Sequence, residues 1–389
     1  MARATFTNVP ATARNQRAAD PEEARKNRSA RRHHGTRYVA GCMTGTSLDG
    51  LDAALVAIDG NGLTMRIEVV RETSRPLGEL AEPLRRLCNQ EALDARAIST
   101  LARDLAALHL DALHELGKGQ RIDLVAMHGQ TVYHAPPLSW QLCDPATIAA
   151  DLKAPVVFNL RAADIAAGGE GAPITPLADY LLFRHVRERR TVVNLGGFCN
   201  LTRLPAGEDT RQISGGDVGA CNQLLDGIAR ARLGQPFDRD GAAAARGQVQ
   251  PKALTALATQ LELQARAKRS LGTGDELAGW IEQHQQHSGA DLARTACAAI
   301  SQLIARHAQP CDRLVLAGGG SRNRTLVAEL RGRAEVPVQI ADELGIHASL
   351  REAVAMAVLG ALCQDRVPIT LAQVTGCERA PIAGWWVLP

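Results

Sequence analysis

Short apolar runs that end in glycine-rich turns recur along this chain and predict mixed α/β structure. Residues 38–42 and 53–58 are apolar runs on either side of one such turn, which is the pattern of a β-hairpin. Residues 190–195 and 198–202 repeat the pattern around two consecutive glycines. Because each hairpin is followed by helical spacing and then by another apolar strand, the two halves of the chain share one plan.

Leucines at helical spacing predict helices within residues 77–117. The same reasoning places further helices at about 145–153, 219–233, 251–262, 289–308, 325–333 and 350–362, and strands at 122–127, 155–160 and 313–317. We therefore expect an α/β protein with two related domains that face each other across a cleft, residues 38–165 with 346–389 and residues 166–345. We expect the last helix to cross back towards the first domain.

The charge of the chain is unevenly distributed. The 389 residues carry a formal net charge of +3, but residues 1–37 contain nine Lys or Arg and only three Asp or Glu, so the remainder has a net charge of −3. We expect residues 1–37 to form a disordered basic tail. The acidic body and an aromatic content of 3% argue against nucleic acid as a partner.

The nine cysteines are dispersed and show no metal-ligand spacing, which is typical of reduced thiols in a cytoplasmic protein. Cys199 and Cys221 lie in glycine-rich loops, but no adjacent base marks either of them as a nucleophile. No apolar run approaches the ~20 residues that a membrane-spanning helix needs, so we expect no membrane partner.

The turn of the first hairpin combines glycines, hydroxyls and carboxylates. Gly45 and Gly50 permit positive φ and the close approach of a ligand, and adjacent hydroxyls can join backbone N–H groups in a phosphate cradle. Mg²⁺ prefers oxygen ligands, so Asp49 is a candidate metal ligand, directly or through water. We predict a nucleotide-phosphate clamp formed by Gly45, Thr46, Ser47, Leu48, Asp49, Gly50, Leu51 and Asp52.

Two further glycine-rich turns occupy related positions. Gly196 and Gly197 form the turn of the second hairpin, and Gly318, Gly319 and Gly320 lie between a strand and a helix. One glycine turn alone is weak evidence. Three turns in these places favour a nucleotide held between the domains, with both hairpins gripping its phosphates and the third loop against the nucleoside or its phosphates.

Several carboxylates are candidates for chemistry. Asp217 lies on a glycine-flanked loop before a predicted helix, where it can cap the helix or act as a general base at the cleft; the neighbouring glycine turns favour the base. The loop that contains Asp238, Arg239 and Asp240 is either a turn with an internal salt bridge or a substrate or hinge loop, with Asp238 or Asp240 near sugar hydroxyls or metal. Glu352, on the last helix, has the position of a solvated or capping carboxylate.

Two positions near the predicted cleft are suited to binding a substrate. Arg161 lies in a polar crossing between the two halves, where it can bind a carboxylate through two parallel hydrogen bonds or form a salt bridge to Asp164. His128 and Gln130 follow a predicted strand. His128 there is either a structural histidine with satisfied hydrogen bonds or a residue that orients substrate hydroxyls.

Residues 38–388 resemble the anhydro-N-acetylmuramic acid kinases. The motifs that carry the resemblance are Gly45–Gly50, His128–Thr131, Arg161 with Asp164–Gly169, Asn194–Phe198, Phe237–Gly241 and Gly318–Gly320. The resemblance implies an actin-like, sugar-kinase and Hsp70-type ATPase fold, in which two RNase-H-like domains flank a nucleotide cleft.

The resemblance further implies that ATP, Mg²⁺ and water convert 1,6-anhydro-N-acetylmuramic acid to N-acetylmuramic acid 6-phosphate in peptidoglycan recycling. Asp217 matches the family's catalytic aspartate, which deprotonates the attacking water. Arg161 is the candidate partner of the lactyl carboxylate, and His128, Gln130 and Asp164 are candidate substrate contacts. The family also suggests a homodimer.

One departure from the family leaves alternatives open. Where the family has a Gly-Pro-Gly-Asn-like turn after the aspartate, this chain has Val218-Gly219-Ala220-Cys221-Asn222, and losing the proline should change the stiffness of the loop. One alternative is an ordinary hexose or amino-sugar kinase in which Asp217 deprotonates a sugar hydroxyl. The other is a catalytically inactive nucleotide-binding regulator.

Overall fold

The computed structural model describes residues 35–45, 48–267, 271 and 274–389. The predicted basic tail lies outside this part of the chain up to residue 34. Arg37, which we expected in the tail, is instead the first residue of a strand. Its buried guanidinium donates to the Asp365 carboxylate over 2.7 Å.

The strands are β1 Arg37–Thr44, β2 Gly50–Asp59, β3 Arg66–Pro76, β4 Leu124–Met127, β5 Gln130–Ala135, β6 Leu138–Leu142, β7 Val156–Phe158, β8 Arg190–Leu195, β9 Phe198–Leu204, β10 Ser214–Ala220, β11 Arg313–Ala317, β12 Val338–Ile340 and β13 Trp385–Val387. The α-helices are α1 Ala81–Cys88, α2 Ala95–Leu116, α3 Pro145–Leu152, α4 Ala162–Ala166, α5 Pro176–Phe183, α6 Asn222–Ile228, α7 Ala242–Arg246, α8 Pro251–Ala267, α9 Ala278–Gln283, α10 Gly289–His307, α11 Arg324–Arg333, α12 Arg351–Gln364 and α13 Ala372–Thr375. Among the residues described, no helix has the length and apolarity needed to cross a bilayer.

Two mixed sheets repeat one topology. In the first sheet, β1, β2 and β3 are antiparallel neighbours, and β4 and then β7 lie parallel to β1 on its other side. In the second sheet, β8, β9 and β10 are antiparallel neighbours, and β11 and β12 lie parallel to β8. This shared strand order confirms the predicted α/β class with two RNase-H-like halves, and β13 adds one antiparallel strand to the edge of the first sheet. The exact domain boundaries stay a prediction.

The last long helix, α12, packs on the first sheet, as predicted. Gly41 of β1 lies so close that a Cβ there would be 2.1 Å from the Ala353 carbonyl oxygen, and a Cβ on Gly360 would be 2.4 Å from that of Ala126. The helix begins beside the second half of the chain, where Arg351 donates to Asp179 over 2.7 Å. Helix α12 therefore bridges the two halves.

The structure corrects the region around Asp217. The helix predicted over residues 219–233 begins only at Asn222, and the preceding residues form strand β10. This strand contains three glycines in seven residues and few apolar side chains, so it lacks the alternating pattern that reveals a strand. Asp217 therefore lies on the edge strand of the second sheet rather than on a loop.

Candidate active site

The first hairpin turn is compact and only partly described. The Leu48 N–H donates to the Gly45 carbonyl oxygen over 3.3 Å, and Leu48 has a φ of 56°. Thr46 and Ser47, two predicted phosphate contacts, lie outside the described residues. The Leu48 and Leu51 side chains are buried in apolar clusters, so only their backbone groups can face a ligand.

The second hairpin turn and the third glycine loop lie against each other. A Cβ on Gly318, whose φ is 84°, would be 2.7 Å from Asn194 Oδ1 and 2.8 Å from the Leu195 carbonyl oxygen. A Cβ on Gly320 would be 2.8 Å from Asn222 Oδ1. Glycine is required here because the two backbones approach without room for a side chain.

The start of α6 is tied to the same turn by three backbone hydrogen bonds. The N–H groups of Cys221, Asn222 and Gln223 donate to the carbonyl oxygens of Gly197, Gly196 and Gly197, each over 3.0 Å. The strand that carries Asp217 leads directly into this helix start. The structure therefore brings two of the three predicted glycine turns together beside Asp217.

Asp217 does not cap α6, so that alternative is wrong. The residue at the cap position is Cys221, whose side chain accepts no capping hydrogen bond. Half-buried Asp217 pairs with Asn200 of β9 next to a β-bulge, and its Oδ2 accepts a 2.8 Å hydrogen bond from the Leu271 N–H. A backbone N–H donor of this kind stabilises the ionised carboxylate, which is the form a general base needs.

Arg161 is held by uncharged groups. Its Nε and Nη2 lie 3.0 and 2.8 Å from His128 Nε2, and its Nη1 donates to the Gly171 carbonyl oxygen over 2.7 Å. Burial, together with the Arg161 guanidinium, lowers the pKa of His128 to about 3. The imidazole is therefore neutral, with Nδ1 donating to the Gly129 carbonyl oxygen over 2.9 Å and Nε2 accepting from Arg161.

Arg161 also interacts electrostatically with the carboxylates of the site. Burial lowers the pKa of Arg161 to about 10, and the nearby carboxylates of Glu352 and Asp217 oppose that decrease. These three groups come from different elements, so the fold gathers them into one electrostatic neighbourhood. The predicted alternative of a salt bridge from Arg161 to Asp164 is wrong, because Arg161 donates to His128 and Gly171 instead.

Asp164 and Gln130 are less accessible than expected. The completely buried Asp164 carboxylate accepts from the Gly171 N–H and from the Thr375 hydroxyl, both over 2.8 Å, and so braces the crossing segment. Gln130 is also completely buried, and its Oε1 accepts no hydrogen bond from the part of the chain that the structure describes. Direct substrate contacts by either residue stay predictions.

Glu352 lies closer to the site than its sequence position suggested. It belongs to the first turn of α12, and its carboxylate accepts from Asn194 Nδ2 over 3.3 Å. Asn194 is the last residue but one of β8, just before the second glycine turn, so this contact joins the two halves of the molecule. The available signal was an acidic residue at the start of a helix expected to cross between the domains.

A group of carboxylates lies between the first hairpin and α6. Burial raises the pKa of Asp52 to about 6 against a hydrogen bond from Ser74, with Asp49 and Glu352 adding to the increase. Burial also raises the pKa of Asp226, on α6, to about 6, and Asp49 again contributes. These raised pKa values mark a place where added positive charge would be stabilising.

This donor set fits a cation held mainly through water and phosphate. Within the described ranges, no three or more His, Cys, Asp or Glu side chains are arranged to bind a metal ion by themselves. Asp49 is exposed, whereas Asp52 is half-buried. Mg²⁺ typically keeps several waters and binds one or two carboxylates together with substrate phosphates, which matches this arrangement.

The Phe237–Gly241 loop has a different internal structure from that expected. Asp238 caps α7 by accepting from the Ala243 and Ala244 N–H groups over 2.8 and 2.9 Å, and Arg239 stacks on Phe237 rather than pairing with an aspartate. Thr325 donates to the Gly241 carbonyl oxygen over 2.8 Å, which places this loop beside the third glycine loop. A cavity of about 360 Å³ opens next to Asp238 and Arg239.

Comparison with known proteins adds an independent line of evidence. The sequence model of the family described as anhydro-N-acetylmuramic acid kinase matches residues 37–387. A protein of that name from Bacillus cereus (strain G9842) is 30% identical over 376 residues, which cover 89% of this chain and 98% of the relative. Another, from Bacillus thuringiensis subsp. konkukian (strain 97-27), is 29% identical over 374 residues, with the same coverage of 89% and 98%.

The matches among solved structures are more distant. Component A of (R)-2-hydroxyglutaryl-CoA dehydratase from Acidaminococcus fermentans has 12% identity and a TM-score of 0.45, and the match covers 84% of this chain and 98% of that one. A ROK hexokinase from Thermus thermophilus has 16% identity and a TM-score of 0.31, with coverage of 82% and 98%. We draw no conclusion from likenesses at these scores.

Proposed function

The chain belongs to the anhydro-N-acetylmuramic acid kinase family, and from this membership we propose the reaction that it catalyses. The family makes the protein a kinase that uses ATP and takes a small sugar as substrate. The specific proposal is that it opens 1,6-anhydro-N-acetylmuramic acid with water and phosphorylates O6. The products are N-acetylmuramic acid 6-phosphate and ADP, a step in peptidoglycan recycling.

In the proposed reaction, Asp217 accepts a proton from water as the water oxygen bonds to C1 of the sugar. The bond from C1 to the bridging oxygen breaks, and that oxygen, now O6, takes the γ-phosphoryl group of ATP. ADP leaves with the electrons of the broken P–O bond. The observation that carries this proposal is the Asp217 carboxylate, held by the Leu271 N–H beside the glycine turns and the Arg161–Glu352 neighbourhood.

We assign the other groups by charge and position. Arg161, whose described hydrogen-bond partners are neutral, retains a positive charge for the lactyl carboxylate of the substrate. The glycine turns offer backbone N–H groups to the phosphates, and the third loop lies against the nucleoside. Mg²⁺, held through water by Asp49, would neutralise the charge on the transferred phosphoryl group.

Glu352 is a second carboxylate that can act near the reacting sugar. Its bond to Asn194 fixes it at the junction of the two halves, and its negative charge reaches both Arg161 and Asp52. We propose that Glu352 helps to orient water or a sugar hydroxyl for Asp217. A homodimer, which the family suggests, and a cytoplasmic location, which the dispersed cysteines indicate, remain parts of the proposal.

The test measures ADP release with Mg-ATP on the anhydro sugar and, side by side, on open N-acetylmuramic acid. We expect turnover on the anhydro form alone. Asp217→Asn should lower kcat by about 10²–10⁴-fold, because that is what a general base contributes, while ATP binding is preserved. Asp104→Asn makes the same change on the exposed face of α2 and should leave kcat unchanged.

Other outcomes would identify the competing functions. Turnover on the open sugar but not on the anhydro form would indicate an ordinary amino-sugar kinase. ATP binding without turnover, together with an unchanged Asp217→Asn variant, would indicate a nucleotide-binding regulator.

A further inference from the structure

One side chain of α8 bonds both to the strand that carries Asp217 and to Asp275, which lies four residues after Leu271 in the sequence. Gln264 Oε1 accepts a hydrogen bond from the Ala220 N–H over 2.9 Å, three residues beyond Asp217 on β10. Gln264 Nε2 donates to the Asp275 carbonyl oxygen over 2.7 Å. The chain that leads to Asp275 includes Leu271, whose N–H donates to Asp217 Oδ2.

The same face of α8 also packs on the bulge next to Asp217. A Cβ on Gly219 would be 3.1 Å from Leu261 Cδ2 and 2.8 Å from Leu303 Cδ2. Leu261 precedes Gln264 by three residues, so both side chains project from one face of the helix. The strand is therefore pressed against α8 at Gly219 and hydrogen-bonded to it at Ala220.

The geometry points to Gln264 as a positioning residue that holds the Asp217 carboxylate and its Leu271 donor in register. This inference rests on the proposed function only for the role of Asp217 as base. Gln264 itself acts through the backbone of Ala220 and Asp275. Its loss should remove the link between Ala220 and Asp275.

The strand contact depends on the residue at position 220. The Ala220 N–H is available because this residue is an alanine, whereas a proline would have no N–H to donate. β10 is an edge strand, and this N–H points to α8 rather than to β9. Gln264 thus ties the end of β10 to α8 through this hydrogen bond.

The test measures the pKa of Asp217 by a ¹³C-carboxyl NMR titration. The Asp217 resonance is assigned as the one that is missing from the spectrum of Asp217→Asn. In Gln264→Ala we expect the pKa of Asp217 to rise by about one, because a hydrogen bond to the ionised form is weakened. Among the described residues, the Arg161 guanidinium and the buried Cys199 thiol also interact with Asp217, and both are unchanged in this variant.

Amide exchange and kinetics provide the matching readouts. The Ala220 amide should exchange faster in Gln264→Ala. The kcat should fall about tenfold, because the Leu271 hydrogen bond to the charged Asp217 carboxylate is weakened, and both KM values should stay within about twofold. In a plot of kcat against pH, the acid limb should move to higher pH. Gln260→Ala, the same change one turn earlier on α8, should alter none of these.

A double-mutant cycle isolates the hydrogen bond between Gln264 and the Ala220 N–H of the strand. Ala220→Pro removes the N–H on an edge strand, where proline is tolerated. If Gln264 acts through that N–H, Gln264→Ala should cost less in the Ala220→Pro background than in the wild type. An equal loss of kcat from Gln264→Ala in the two backgrounds would show that the hydrogen bond to Ala220 does not contribute.

Failure of this inference is separable from failure of the proposed function. If the wild type shows no turnover, the proposed function fails, whereas the titration and the amide exchange still test Gln264. An unchanged Asp217 pKa in a folded Gln264→Ala variant would overturn the inference. A uniform loss of stability with the titration and the acid limb unmoved would assign Gln264 a purely structural role, which also overturns it.

Discussion

At the scale of single residues, the environment of Arg161 explains how a half-buried cation can remain available to a ligand. Its partners in the structure are an imidazole held neutral by burial and a backbone carbonyl, and neither cancels its charge. The carboxylates of Glu352 and Asp217 act on it from further away. An incoming carboxylate would therefore complete an ion pair that the protein leaves open.

This arrangement predicts the effect of Arg161→Lys. Lysine keeps the charge but loses the planar fork that binds a carboxylate through two bonds. We expect KM for the anhydro sugar to rise by about tenfold or more, a cost of about 1.4 kcal/mol or more, while KM for ATP changes by less than about twofold. Steady-state kinetics on both substrates measure this.

Arg103→Lys, on the exposed surface of α2, is the matched control and should behave as wild type. A similar rise in both KM values of Arg161→Lys would instead assign the residue to general support of the cleft.

Residue type alone marks candidates for a site, whereas burial is decided by the fold. Residue type and glycine-rich surroundings mark Asp217 and Arg161, and the roles of both stay predictions. Asp164 looked equally suitable, yet the fold buries its carboxylate under the Thr375 hydroxyl. Glu352 looked solvated, because only the assembled fold brings the start of α12 next to Asn194.

At the scale of elements, the glycine loops are packed backbone against backbone. Gly318→Ala should destabilise the protein by about 1–3 kcal/mol, because its φ is 84° and its new Cβ would lie 2.8 Å from the Leu195 carbonyl oxygen. Gly319→Ala is the control, since the nearest atom to its Cβ would be 4.0 Å away, on Asn222. Urea unfolding of both variants measures the difference.

Equal unfolding free energies for the two alanine variants would contradict this account. They would mean that the second hairpin turn and the third loop separate easily, and that their close approach is not needed for the fold.

The buried pair that starts α12 makes a second prediction at this scale. Arg351 and Asp179 are each 1% exposed, and Thr202 of β9 also donates to Asp179. Arg351→Met leaves a buried carboxylate without its cation and should cost about 3–5 kcal/mol. Adding Asp179→Leu should recover most of that loss, as measured by urea unfolding.

The exposed pair Arg189–Asp312 provides the comparison, since its 2.7 Å contact lies at the surface. Arg189→Met should cost less than about 1 kcal/mol. If Arg351→Met were equally mild, the two halves of the molecule would not depend on this contact.

The elements that the sequence predicted share strong periodicity. The two hairpins, the strand β11 and the long helices α2 and α10 follow clear apolar patterns, and the structure confirms them. The sequence did not predict β3, because β3 is an edge strand in which charged residues alternate with apolar ones. The sequence did not predict β10 either, because its glycines leave little apolar pattern. Glycine at position 219 is nevertheless what allows α8 to pack closely on the strand.

At the scale of the whole molecule, the repeated strand order places related hairpin turns on the two sheets. α12 lies along the first sheet and begins at the second half of the chain, so its first residues sit where the halves meet. The candidate groups for phosphate, sugar and water come from both sheets and from the segments that connect them. A reaction that requires water, a sugar and ATP together fits a site assembled in this way.

The most direct test of this account is the fate of solvent oxygen. The protein is incubated with Mg-ATP and 1,6-anhydro-N-acetylmuramic acid in ¹⁸O-water, and the product is reduced at once with borohydride so that C1 cannot exchange before mass spectrometry. The account predicts one ¹⁸O atom at C1 and none in the phosphoryl group. A phosphorylated product without label at C1, or with label on phosphorus, would contradict it.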